Sequence, residues 1–212
     1  MMSEAGGPDY SATWVPYAPD HDLREAVNLA AAWTDSSCAP GATWTVLTSD
    51  FGVRADDVPG LAGFTGRYRQ TTPKAGGASP RGPLLVYWPD LRMMCTAHRL
   101  ARGNAVAVVE AGDLALSGWA AVAHAVDLLR PDVPSVGLDA QLAEVLEQLD
   151  FYGNNAYSPG WGRDRARDIL AGLRQDALLD RDLILSALLA RGASLTALKA
   201  LENLISSVEG SH

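Results

Sequence analysis

The clearest signal in the chain is an alternation of short continuous apolar runs with helical stripes between residues 84 and 129. LLVYW at 84–88 and AVAVV at 105–109 are unbroken, as expected of strands buried on both faces. Between them DLRMMCTAHRLARG reads as a helix closed by Gly103, and LSGWAAVAHAVDLL at 116–129 as a second helix stopped by Pro131. Strand, helix, strand, helix predicts a parallel sheet covered on both sides.

Upstream, DHDLREAVNLAAAW places Leu23, Ala26, Val27, Ala30 and Ala31 on one helical face, with Asp20 as the expected N-cap. A turn-rich TDSSCAPGA ends it. TWTVLTS at 43–49 is then β-branched and aromatic enough for a strand, and GRYRQTTP at 66–73 reads as an edge strand. The PKAGGASPRGP stretch at 73–83 is a loop by its Gly and Pro content, expected to be mobile and cut first by proteases at Lys74 or Arg81.

Beyond Pro134 only helical periods remain: LDAQLAEVLEQL, RDRARDILAGLR, DRDLILSALLARG and SLTALKALENLISS. The fold class is therefore α/β, a three-layer domain with a small, mostly parallel sheet, followed by a helical C-terminal subdomain. The expected boundaries are a loose tail over 1–11, the α/β domain over 12–135, and the helical subdomain over 138–208, packed on it.

Composition narrows the function classes. The 212 residues are 48% hydrophobic and 20% charged, the balance of a globular protein with a core of its own. No stretch is long and apolar enough to read as a membrane span. The N-terminal MMSEAGGPDYSATW carries an acid where a signal peptide has basic residues, so a cytoplasmic location is expected. Cys38 and Cys95 stand far apart with no CxxC, which favours two reduced thiols over a disulfide. The net charge of −8 disfavours nonspecific binding to a phosphate backbone. The 17 basic side chains include only two lysines, Lys74 and Lys199, so any local basic patch is built from arginine.

Candidate chemistry starts with the acids that end the predicted strands. Asp50, Asp90, Glu110 and Asp113 follow apolar runs, and ligands of open parallel sheets bind outside the carboxyl ends of the strands. Converging there, these carboxylates would hold Mg²⁺ through oxygen ligands. The competing reading is structural: Asp90 and Asp113 each precede a helix, where an N-cap is expected.

The second candidate is FYGNNAYSPGWGRDRAR at 151–167. Asn154, Asn155, Gly160 and Gly162 lead into a helix that opens with Arg163 and Arg167, and helix N-termini bind anions through free N–H groups. Against it, Asp164 and Asp168 interleave with the arginines as in a solvated, salt-bridged face. Neither this segment nor GFTGR at 63–67 matches the phosphate-binding pattern GxxxxGK[ST].

Weaker signals remain. SALLARGASLTALKALENLI resembles a helix-turn-helix in outline, with Gly192 at the turn and Ser194 as a cap, but its second helix offers only Lys199 and Asn203 beside acids. Cys95 and His98 lie three apart, half of a metal site without a second half. His124, one turn from Asp127, reads as a satisfied buried histidine, and Ser117 as a helix cap rather than a nucleophile.

The leading expectation is a noncatalytic, cytoplasmic interaction or regulatory protein, with a protein partner, a second copy of itself or a small anionic ligand at the junction of the two parts. It requires no cofactor. The alternative is a Mg²⁺-dependent enzyme acting on a phosphorylated or nucleotide substrate. A nucleic-acid-associated protein using the arginines of 54–81 and 163–167 comes third.

Overall fold

A computed structural model describes residues 7–50, 52–75 and 82–210. Six strands form one sheet: β1 (Tyr10–Val15), β2 (Trp44–Leu47), β3 (Tyr68–Thr71), β4 (Leu84–Tyr87), β5 (Asn104–Val109) and β6 (Val126–Asp127). Their order is β3-β2-β4-β5-β1-β6, and every pairing is parallel. The helices are α1 (Leu23–Ser36), α2 (Leu91–Leu100), α3 (Ser117–Ala123), α4 (Ala140–Tyr152), α5 (Trp161–Gln175), α6 (Arg181–Ala190) and α7 (Leu195–Glu209). The α/β class with helices on both faces and a helical C-terminal part is thus the fold of the chain.

The unbroken apolar runs are explained by their alternation. Leu84, Val86, Val106 and Val108 point into one core with Met93, Met94 and Trp119, whereas Leu85, Ala107 and Val109 point into another with Val27, Ala30, Ala31 and Leu61. Helix α1 and short 3₁₀ turns cover the second face. Helices α2 and α3 cover the first, and the C-terminal helices extend that same core through Leu185, Leu188, Leu201 and Ile205.

Two strands lie where the sequence predicts none. β1 occupies Tyr10–Val15, partly inside the expected tail, and pairs residue for residue with Asn104–Val109. β6 interrupts the predicted 116–129 helix. That helix stops at Ala123, His124 turns left-handed at φ 50°, and Val126–Asp127 closes the free edge of β1, where Thr13 Oγ1 donates to Val126 O at 2.7 Å. His124 is consequently exposed, and Asp127 accepts from Leu129 N and Arg130 Nε rather than serving a histidine. Residues 1–6 of the expected tail lie outside the described residues, as do 76–81 of the 73–83 loop, Arg81 among them.

Caps divide in the same way. Asp90 Oδ1 accepts from Met93 N at 2.7 Å, and Asp139, Asp180 and Ser194 cap α4, α6 and α7. Helix α1 is capped by Asp22, two residues after the expected Asp20. Neither Asp113 nor Ser117 caps α3; its N-cap is Leu116, with no side-chain bond. Asp90→Ala should therefore lower stability in urea unfolding by about 1 kcal/mol, and Asp113→Ala by less than about 0.5 kcal/mol. Equal losses at the two positions would contradict this division.

Candidate functional site

At the carboxyl end of the sheet, four acids that look alike in the sequence have four different surroundings. Asp50 Oδ1 accepts from Gly52 N at 2.7 Å and Val53 N at 3.2 Å, which commits it to its own turn. Asp90 is committed to the start of α2. Asp113 is exposed in the loop after β5. Glu110 alone is buried, 9% exposed, and its Oε2 has no hydrogen-bond partner. Among the described residues no three His, Cys, Asp or Glu side chains are placed to hold a metal ion, so these acids are not gathered into a Mg²⁺ site.

Glu110 follows β5 beside β1, and the helices after these neighbouring strands, α3 and α1, cover opposite faces. Burial pushes its carboxyl up to about 7; the backbone N–H groups of Leu116 and Tyr17 oppose the rise, and the negative charge of Asp182 adds to it. Asp182, at the start of α6, accepts from Ala115 N at 3.2 Å and is held by Arg181, which also binds Glu202. After β4, Trp88 is 47% exposed and stacks on Tyr87 with ring centres 5.4 Å apart. Its φ of 50° is strained for a residue that precedes proline.

The half metal site at Cys95 and His98 resolves into a neutral hydrogen-bonded chain. Trp119 Nε1 donates to Tyr10 Oη at 3.0 Å, and Tyr10 Oη lies 3.2 Å from His98 Nδ1. Burial, aided by Arg102, pushes the His98 pKa down, and burial with Asp90 nearby pushes the Cys95 thiol up to about 11. Neither is a charged or reactive ligand near neutrality.

The Asn-rich segment is built around an aromatic side chain. Tyr157 is buried and donates to Leu149 O at 2.8 Å, and its ring lies where a Cβ on Gly153 would be, at 2.8 Å. Only glycine fits there. The chain turns left-handed at Ala156 and Tyr157, with φ 55° and 53°. This turn and the one between α6 and α7 enclose a cavity of about 300 Å³. Asn154 and Asn155 line it together with Asp150, Arg191, Ser194 and the first turn of α7, above Leu188 and Leu198.

The other predicted anion-binding residues are elsewhere. Gly160, at φ 136°, precedes α5 without a side-chain cap, and Gly162 packs on Tyr152. Arg167 faces Asp164 and Arg165 faces Asp168, both at 3.6 Å, which is the salt-bridged surface foreseen as the competing reading. Arg167 also lines a separate depression of about 430 Å³ with Ala171 and Val208, and Arg163 is half-exposed; neither arginine lines the Asn154–Asn155 cavity. The cation that does, Arg191, was not singled out from the sequence. Its signal was the ARGAS string, where a basic residue at the end of one helix meets the cap of the next. Compared with known protein families, with curated proteins and with solved structures, the chain has no match in any of the three.

Proposed function

We propose that this chain is a noncatalytic binding or regulatory protein of the cytoplasm, and that its ligand is a small molecule whose anionic group sits in the cavity between the Asn154–Asn155 turn and the start of α7. The observation that carries this reading is the cavity itself. It joins two side-chain amides, one arginine and the start of a 15-residue helix capped by Ser194, whose partial positive charge favours an anion. Arg191 has no salt-bridge partner among the described residues, so its guanidinium is available for paired bonds to an oxyanion. No described helix is long and apolar enough to cross a membrane, which agrees with a ligand met in solution.

Inorganic phosphate or a small carboxylate should raise the melting temperature of the parent, and Arg191→Gln should weaken binding by about tenfold, the loss of one charge-assisted pair. Equal binding by the variant would rule this cavity out.

An enzyme acting at the carboxyl end of the sheet is the second reading. Glu110 favours it, because a buried carboxyl that titrates near 7 suits proton transfer. Its Mg²⁺-dependent form has less support, since Asp50 and Asp90 are already engaged. The nucleic-acid reading comes last: Arg54, Arg67, Arg165 and Arg167 all face acids.

A further inference from the structure

The cavity at the start of α7 is lined by two charged residues of opposite sign, Asp150 at the end of α4 and Arg191 at the end of α6. Among the described residues no ion pair joins them, and neither has an ion-pair partner elsewhere. A cation and an anion that share a cavity without meeting leave a gap for a molecule with both complementary charges. A simple anion would satisfy Arg191 and be repelled by Asp150 across the same small space.

We infer that the ligand is a small zwitterion of the α-amino acid class: its carboxylate on Arg191 beside the start of α7, its ammonium on Asp150. This rests on the anion-binding reading above and goes further, to the class of molecule. The amide oxygens of Asn154 and Asn155 are acceptors suited to an ammonium, and their NH₂ groups are donors suited to a carboxylate. Asn154 Nδ2 donates to Phe151 O at 3.0 Å, which leaves its oxygen for the ligand. Leu188 and Leu198 are both 1% exposed, so they close the base of the cavity and leave its polar groups to select the ligand. A volume of about 300 Å³ lies at the small end of ligand cavities and suits a molecule of this size.

The test is thermal shift followed by calorimetric titration of the full chain. Probes are the twenty standard amino acids one by one, inorganic phosphate, and two truncated forms of leucine: 4-methylpentanoate, without the ammonium, and 3-methylbutylamine, without the carboxylate. Leucine is expected to bind among the amino acids, and both of its truncated forms to bind at least tenfold more weakly than it does. Asp150→Asn should erase the preference for the amino acid over the carboxylate, and Arg191→Gln should weaken both. Circular dichroism checks that each variant is folded; neither side chain is buried.

If 4-methylpentanoate or phosphate binds as tightly as any amino acid, and Asp150→Asn leaves or improves that binding, the zwitterion assignment is wrong and the anion reading survives. If no probe binds, or Arg191→Gln changes nothing, both are wrong. Amino acids that bind the Asp150→Asn variant with their preference intact also overturn the assignment.

Discussion

Gly118→Ala is expected to cost about 3 kcal/mol of stability and to lower the melting temperature by roughly 6–12 °C for a chain of this size. A Cβ at this position would lie 2.1 Å from Leu183 O, 2.8 Å from Ser186 Oγ and 2.9 Å from Ala187 N. Two of these three atoms are backbone, so no rotamer change relieves the clash, and α3 and α6 must separate. The separation would disturb the Trp119 N to Ser186 Oγ bond and the core that joins the sheet to the C-terminal helices. Gly172→Ala, inside α5 with nothing within 4 Å of a new Cβ, should instead stabilise by about 0.5–1 kcal/mol. If Gly118→Ala unfolds like the parent, the close crossing of α3 and α6 is not what docks the helical part.

Glu110→Gln should remove a pH dependence of stability. The folded carboxyl titrates near 7, above the ordinary carboxylate range, so between about pH 4.5 and 7 the folded chain keeps a proton that the unfolded chain has lost. Stability contributed by this group is then fully present below pH 4.5, declines as pH rises through that window, and is gone above it. The loss is of the order of 2 kcal/mol, discounted for partial solvent access. Parent and variant should unfold alike at pH 4.5, and the variant should be the more stable at pH 8. Urea unfolding across this range decides the matter: parallel profiles would mean that Glu110 titrates as a surface group does. Should the variant also lose a catalytic activity while gaining stability, the enzymatic reading would overtake the binding one.

The runs at 84–88 and 105–109, with the helices between and after them, were enough to determine an α/β fold, because continuous apolarity over strand length requires cover on both faces. Four later helices were equally plain, since helical period, stops and a cap such as Ser194 act within a few residues of one another, and the structure adds Asp139 and Asp180 as further caps. Tertiary structure decided what depends on distant partners. Tyr10–Val15 is a strand because β5 and β6 flank it, and Val126–Asp127 leaves the helical pattern because the edge of β1 is there to be paired. The acids show the same limit at the level of chemistry. Asp50, Asp90, Glu110 and Asp113 carry the same functional group at similar places after strands, yet only burial separates Glu110 from the rest. Arg191 meets Asn154 and Asn155 only because α6 and α7 fold back against the end of α4. Backbone propensity is local and legible in sequence, whereas burial, charge environment and convergence are sums over the whole fold, and the fold alone supplies them.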